Sequence, residues 1–422
     1  MPEFEPLTSD DRRLIGASEP PAIPSGRRRW RSWWRVGGVV LLLAGLATVA
    51  VRGSESPPVP RPGAVPSRAP AQTAPLPVVG SPVILERGTA PLDLDGELAS
   101  FDVAPDGYAL VGTSCVTSDR CRAGVAVSPD GVRWSARKLP ADVAADVLTV
   151  WSLGGGVLVV EEPGRLRLRS GDGGRTWSRV STAPAAAVPD ATPGVLTLAP
   201  TGGLRHAPCA GTRLAVVRHD TGRTAPLRHQ PLGMHPCAVM VKGRWLWVAG
   251  IDPVSRQPVV ALSGDRGAGW ATLPVPDLGG EAERVWLSVA GSELYLTVFG
   301  PLPESPVRFG VVAVYLHTRH GWVRTVRYTG PSEEISGMIA CPDGMLLAVL
   351  HPLAPYQRAR QLVSYDRGRS WSLAEGTALV ISSTPSSPRG DGARYGWAYT
   401  SLGREGLVRS TDCRTWHQLP VR

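Results

Sequence analysis

Ser170-Gly171-Asp172-Gly173-Gly174-Arg175-Thr176-Trp177 and Ser364-Tyr365-Asp366-Arg367-Gly368-Arg369-Ser370-Trp371 decide how the rest of this chain is read. Both fit Ser-x-Asp-x-Gly-x-(Ser/Thr)-Trp. Three degraded copies are legible: Ser128-Pro129-Asp130-Gly131-Val132-Arg133-Trp134, Ser263-Gly264-Asp265-Arg266-Gly267-Ala268-Gly269-Trp270 and Ser410-Thr411-Asp412-Cys413-Arg414-Thr415-Trp416. The starts are separated by 42, 93, 101 and 46 residues, so the long intervals are close to double the short ones. Weaker candidates stand where the missing copies should fall, at Asp220-Thr221-Gly222-Arg223-Thr224 and Thr318-Arg319-His320-Gly321-Trp322. The result is seven units with a period of about 45 to 50 residues, the length of one four-stranded blade of a β-propeller.

Each copy lies between short apolar runs, the pattern of two strands joined by a Gly-containing turn. The Asp carboxylate can accept backbone N–H groups of its own turn. Gly at the fifth position permits positive φ, and the Trp offers a broad apolar plate between units. The units run 88–140, 141–184, 185–230, 231–276, 277–327, 328–375 and 376–422. In the fourth, Ala238 to Lys242, Arg244 to Ala249, Pro258 to Leu262 and Ala271 to Leu273 read as four short antiparallel strands. The expected fold is therefore all-β, a seven-bladed propeller over 83–422. Six blades follow if the weak copy near 318 is discounted. The last unit holds its own fourth strand, so the ring closes without strand exchange unless Val83 to Glu86 adds an outer strand.

The repeated turn resembles the Asp-box, or BNR repeat, of the sialidase-like superfamily, over roughly residues 88 to 422. The resemblance implies a propeller with the box on the turn between the third and fourth strands of each blade. It implies structural roles for Asp130, Asp172, Trp177, Asp265, Asp366, Trp371, Asp412 and Trp416. It implies much less about activity, because such propellers occur in sialidases, sortilin-type receptors, photosystem assembly factors and polysaccharide-degrading enzymes.

Residues 36–51, VGGVVLLLAGLATVAV, are uncharged and almost wholly apolar. As a helix they span roughly 24 Å, which Trp33, Trp34 and a snorkelling Arg35 extend towards the roughly 30 Å bilayer core. Arg27-Arg28-Arg29-Trp30-Arg31 precede the stretch and only Arg52 follows closely. The positive-inside rule then gives a disordered basic cytoplasmic tail at 1–35, a single-pass cell-membrane anchor at 36–51 and an extracytoplasmic remainder. The rival is a cleaved signal peptide ending near Thr48-Val49-Ala50. Residues 52–82 are Pro-rich, an extended spacer that holds the propeller off the membrane.

The formal net charge is +9. It divides into about +2 before the end of the apolar stretch, +2 in the spacer and +5 over the propeller, a solvated surface rather than a nucleic-acid footprint. Lys138 and Lys242 are the only lysines among 45 basic residues. That bias, with abundant Ala, Gly and Pro, fits high genomic G+C and suggests an actinobacterial source.

All six cysteines fall outside the membrane, where disulfides are the expectation. Cys115 and Cys121 would close the hairpin between strands two and three of the first blade. Cys209 and Cys237 fall at one face of adjacent blades, and Cys341 and Cys413 are left to each other. A competing reading makes His206, Cys209, His235 and Cys237 a tetrahedral zinc set; the disulfide is preferred, with no metal or cofactor expected.

Strand order puts the repeated turns on one face and the loops between strands two and three on the other. That second face carries the polar excursions Asp252 to Gln257, Pro301 to Arg308, His351 to Arg360 and Leu402 to Glu405. Loops on a rigid scaffold are where binding is usually built, which singles out Arg256, Arg308, Tyr356, Arg358 and Arg404. A sialidase would need three arginines on a carboxylate, a Tyr nucleophile with a Glu, and an acid. The Phe/Tyr-Arg-Ile-Pro motif of that family does not occur, and Val83-Ile84-Leu85-Glu86-Arg87-Gly88 stands in its place. Tyr328, with Glu333 and Glu334 nearby, and Tyr395 are the remaining nucleophile candidates. Asp93-Leu94-Asp95-Gly96-Glu97 reads as a capped turn rather than a calcium loop, and Arg389-Gly390-Asp391 as coincidence in a polar loop. The expectation is a non-catalytic module binding an envelope protein or glycan, with a sialidase-like exo-glycosidase as the alternative.

Overall fold

The computed structural model describes residues 78–80, 84–86 and 98–419, except 118–119, 141–147, 163, 201–208, 303–304, 328–332, 353–358, 376–379, 384–392 and 401–402. The basic tail, the apolar stretch 36–51, the Asp93 to Glu97 turn and Arg389 to Asp391 lie outside these residues. Among the described residues no helix is long and apolar enough to cross a membrane.

Seven antiparallel sheets follow one another along the chain, one in each of the seven units. Blade I comprises Leu98–Ala104, Gly107–Thr117, Arg120–Ser128 and Ser135–Lys138; blade II comprises Thr149–Gly154, Val157–Glu162, Leu166–Ser170 and Ser178–Val180. Blade III is Gly194–Pro200, Thr212–Arg218 and Thr224–Pro226; blade IV is His235–Lys242, Trp245–Ile251, Pro258–Ser263 and Ala271–Leu273. Blade V is Arg284–Ala290, Glu293–Leu302, Ser305–Thr318 and Gly321–Arg327. Blade VI is Glu333–Ala340, Leu346–Pro352, Arg360–Ser364 and Ser372–Glu375; blade VII is Val380–Ser383, Arg394–Thr400, Gly403–Ser410 and Thr415–Gln418.

A buried apolar cluster fills every seam, so the sheets form a closed ring of wedges rather than a row. Phe101 and Val103 of blade I meet Tyr395 and Leu407 of blade VII; Val125 of I meets Val150 and Leu168 of II. Val159 of II meets Val195 and Val217 of III; Leu214 of III meets Val248 of IV. Trp247 and Val260 of IV meet Leu287 and Tyr315 of V; Tyr295 and Phe299 of V meet Met338 and Leu346 of VI; Ile339 and Val363 of VI meet Ile381 and Val408 of VII. The blade period also appears in three dimensions. Hydrogen bonds such as Ser152 N–H to Asp102 Oδ2 (2.8 Å) and Arg169 Nη2 to the His219 carbonyl (3.2 Å) join residues 50 positions apart on neighbouring blades.

The tryptophans end up where the sequence pattern puts them. Trp134, Trp177, Trp270, Trp371 and Trp416 each pack on the cluster shared with the preceding blade. Blade V has lost the aspartate of the turn and kept its wedge: Trp322 is buried against Trp247, with the His317 ring edge-on to both at about 5 Å. In blade III the turn 219–223 contains no tryptophan, and the Arg169 side chain of blade II packs over Gly222 instead.

Blade III departs from the four-strand expectation. It has three strands among the described residues, and the segment that enters it runs along the outer edge. There Val188 N–H donates to the Pro226 carbonyl (2.9 Å) and Arg228 N–H to the Val188 carbonyl (3.0 Å). Two other blades gain an outer strand from the N-terminal segment. Val78–Gly80 pairs parallel with Ser372–Glu375 of blade VI, and Ile84–Glu86 pairs parallel with Thr415–Gln418 of blade VII. The last blade keeps its own fourth strand, and the chain entering blade I holds blades VI and VII from outside.

The disulfides are stitched across seams. Cys209–Cys237 joins blades III and IV, and Cys341–Cys413 joins the end of the first strand of blade VI to the repeated turn of blade VII. Bonded to one another, Cys209 and Cys237 are withdrawn from the zinc set that His206 and His235 would complete. Cys115 and Cys121 are direct register partners between the second and third strands of blade I; their side chains lie outside the described residues.

Candidate functional site

The two complete and three degraded repeats share one construction, which explains the residue types in them. The serine is a hub. Ser170 Oγ donates to Asp172 Oδ1 (2.7 Å) and accepts the Gly174 N–H (2.8 Å); Ser263, Ser364 and Ser410 do the same with Asp265 and Gly267, Asp366 and Gly368, and Asp412 and Cys413. The aspartate then gathers the far side of its turn. Asp172 Oδ1 accepts Arg175 N–H (3.0 Å) and Thr176 N–H (2.9 Å), while Oδ2 accepts the Thr176 hydroxyl (2.6 Å). Asp130 takes the N–H groups of Val132 and Arg133 and the Arg133 guanidinium. In the long turns the fourth position also has positive φ, at Gly173 (70°), Arg266 (62°) and Arg367 (65°), so glycine is useful there as well as at the fifth. At the weak sites the device is absent: Asp220 pairs with Arg218, and Thr318 Oγ1 donates to the Gly321 carbonyl.

These donors set the charge of the turns. The Arg133 and Val132 N–H groups hold Asp130 well below the usual carboxylate range, and the Thr176 hydroxyl and N–H do the same for Asp172. The Gly269 N–H lowers Asp265. At Asp366 and Asp412 burial pushes the pKa up, but Ser370 in one and the Arg414 and Thr415 N–H groups in the other outweigh it. A carboxyl whose pKa is lowered by folding contributes stability that is complete above its unfolded value and is lost as pH falls through the folded one. The melting temperature should therefore stay level down to about pH 5 and fall steeply below about pH 4. Asp172→Asn should flatten that acid slope, which a thermal-melt series from pH 7 to pH 3 on both proteins would read; an unchanged slope would refute the assignment.

The turns also build a cleft. Between blades I and II, on the face that carries the repeated turns, lies a depression of about 470 Å³. Four segments form its walls: the turn at Asp106, the turn starting at Ser128, the Gly155-Gly156 turn and the turn at Asp172 and Arg175, with Arg137 at one side. The walls are fixed to one another. Gly155 N–H donates to Asp106 Oδ2 across the seam (2.5 Å), and Gly173 N–H donates to the Gly156 carbonyl (2.8 Å). Gly154, Gly155 and Gly156 all have positive φ (85°, 60° and 73°), which three consecutive residues with a Cβ would not sustain.

Of the residues singled out from the sequence, Asp172 lines this cleft. Arg256 lies on the opposite face, in a loop ordered by Asp252 Oδ1 accepting the Val254 and Ser255 N–H groups (2.8 and 2.7 Å). Arg256 itself has φ 58° and donates its N–H to the Asp252 carbonyl (3.0 Å). Arg308 is on the third strand of blade V and Arg404 on the third strand of blade VII; the side chains of both, and the whole of Tyr356 and Arg358, lie outside the described residues. The excursion expected at Pro301 to Arg308 is a continuation of two long strands, since Pro301 pairs with Phe309 and Leu302 with Ser305. Tyr395 is buried at the seam between blades VII and I, its ring 5.1 Å from Phe101, and its hydroxyl accepts Arg409 Nε at 3.3 Å. It is a core residue and faces no cleft. Tyr328 lies outside the described residues.

The fold and the cleft define a seven-bladed β-propeller. No family model matches the chain, and no curated protein does. Among solved structures, YCF48 bound to a D1 peptide is similar over 78% of this chain and 83% of that one, at 15% identity and a TM-score of 0.33. A GH74 xyloglucanase from Xanthomonas campestris is similar over 78% of this chain, which spans 48% of that one, at 16% identity and a TM-score of 0.34. The β-propeller domain of the trilobed protease from Pyrococcus furiosus is covered to 95%, at 8% identity and a TM-score of 0.40. Likenesses this weak carry no argument, and the fold rests on the sheets and seams themselves.

Proposed function

We propose that this chain is a non-catalytic binding module: an Asp-box propeller of the sialidase-like kind, tethered by residues 36–51 outside the cell membrane and binding an envelope protein or glycan. One observation carries the reading. The two carboxylates that line the cleft are both engaged, Asp106 by the Gly155 N–H and Asp172 by its own turn. Hydrolysis of a glycosidic bond calls for a carboxylic acid with a raised pKa opposite a second free carboxylate, and Asp172 is shifted the other way. The sialidase-like alternative loses Tyr395 to the core and keeps Tyr328 as its nucleophile candidate.

The full chain in detergent should release no fluorophore from a methylumbelliferyl sialoside or from the corresponding glucoside and xyloside. Turnover above that of heat-denatured protein would overturn the reading. A photocrosslinker at position 175 on the turn face should trap a partner in intact cells more efficiently than one at position 256 on the opposite face. The reverse would move the site to Arg256 and its neighbours.

A further inference from the structure

We propose that the cleft between blades I and II recognises a carboxylate of an acidic peptide segment, held by Arg137 and Arg175; this deepens the binding-module reading and rests on it. The lining is formally neutral, with Arg137 and Arg175 against Asp106 and Asp172. Its hydrogen-bonding capacity is not balanced. The carboxylates have their donors, whereas the guanidiniums have few acceptors. Among the described residues Arg137 Nε is buried without a partner, and its Nη1 reaches only the adjacent Ala136 carbonyl (2.9 Å). Arg175 is exposed, and its Nη1 makes one long contact, 3.4 Å, to the Asp172 carbonyl. A ligand that satisfies this cleft must bring acceptors, and a planar carboxylate matches the fork of a guanidinium.

The same imbalance continues along the turn face. Arg169 lies beside Gly171 of the cleft wall, and Arg223 follows in blade III; both have a buried Nε without a partner and an Nη2 on a backbone carbonyl, of His219 and Ala183 respectively. Positive charge spread over three blades suits an extended acidic chain of several residues better than a single small anion.

The aromatic lining argues for a peptide over an acidic sugar. Among the described residues Tyr108 is the sole aromatic in the wall, and its ring packs on its neighbours. It packs against Trp134 and Tyr395 (6.1 and 6.4 Å), and a Cβ placed on Gly131 would sit 3.3 Å from it. A single ring, tilted against two others, is a poor platform on which to stack a sugar.

The test is fluorescence anisotropy with the full chain in detergent at 150 mM salt, using labelled (Gly-Glu)4, labelled (Gly-Gln)4 and a labelled oligogalacturonate. (Gly-Glu)4 should bind at least tenfold more tightly than (Gly-Gln)4. Arg175→Gln, an exposed change that leaves the fold alone, should weaken (Gly-Glu)4 fivefold or more. Arg137→Lys, which keeps the charge and most of the stem but not the fork, should weaken it also. Arg244→Gln, on blade IV where the guanidinium stacks on Trp245, should change nothing. No binding, equal binding of the two peptides, equal loss in Arg244→Gln, or tighter binding of the oligogalacturonate would each overturn the proposal. Those failures leave the module reading to the crosslinking result, whereas glycoside turnover removes both.

Discussion

Trp416→Ala should cost about 3–5 kcal/mol, the range for emptying a buried aromatic site. Trp416 is fully buried in the seam between blades VI and VII. Its indole N–H donates to the Cys413 carbonyl (2.9 Å), so the ring has both its apolar contacts and its one polar bond satisfied. The substitution leaves a void between two sheets and frees a carbonyl inside the turn that the ring closes. Trp134 occupies the corresponding place in blade I, with the same bond to the Gly131 carbonyl (2.9 Å), but it is only half-buried. Trp134→Ala should therefore cost clearly less: the two turns share the same indole bond and differ in the exposure of the ring, with the Cys413 disulfide present in both wild type and Trp416→Ala. Urea denaturation of both variants checks this. Equal midpoints would mean that the tryptophans act through their turns and not as wedges between blades.

The wedge role was legible in the sequence because each residue of the turn has a local job. Ser, Asp and Gly organise a turn whatever surrounds it, and Trp needs only a neighbouring sheet. The degraded sites show how far the legibility extends. Thr318 to Trp322 kept the tryptophan and the wedge without the aspartate. Asp220 to Thr224 kept the aspartate in sequence, yet its carboxylate serves Arg218. Blade III was not legible in strand order. Val195 to Leu198 alternates like any strand, and alternation does not say whether the strand stands first or second from the axis. The N-terminal strands were hidden for a related reason: Val78–Gly80 sits in a Pro-rich stretch, and pairing at an outer edge needs only three residues.

The cleft is not legible in the sequence because it belongs to no single segment. Four turns from two blades make it, and they are short, unlike the longer polar loops on the other face. Two signals were available. Gly154-Gly155-Gly156 is a backbone conformation that costs conformational entropy, and a simple hairpin needs fewer glycines. Arg137, on the fourth strand of one unit, and Arg175, in the repeated turn of the next, fall across a seam once the period is accepted.

Breaking the Cys341–Cys413 disulfide should cost about 4 kcal/mol. The two cysteines are separated by 72 residues, and a loop of that length closed in the unfolded chain gives this figure in the chain-entropy description. The Cys209–Cys237 bond, with a separation of 28, should be worth about 3.5 kcal/mol on the same basis. The variant matters for the first measurement. Cys413 has φ 61° and donates its N–H to Ser410 Oγ, the geometry that Gly131 adopts in the first-blade turn at φ 73°. Cys341→Ser with Cys413→Gly therefore restores the residue the turn itself prefers, and what is lost is the crosslink and the buried sulfurs. That double variant should unfold at lower urea than the wild type and should no longer respond to reductant at this site, while Cys209→Ser with Cys237→Ser should shift less. The position of the crosslink suggests why it lies where it does. Blades VI and VII are also the two held from outside by Val78–Gly80 and Ile84–Glu86, so the segment entering blade I and the disulfide secure the same pair of sheets. If the double variant melts as the wild type does, the outer strands hold these blades without help, and removing residues 78–86 in that background should then be the change that opens the ring.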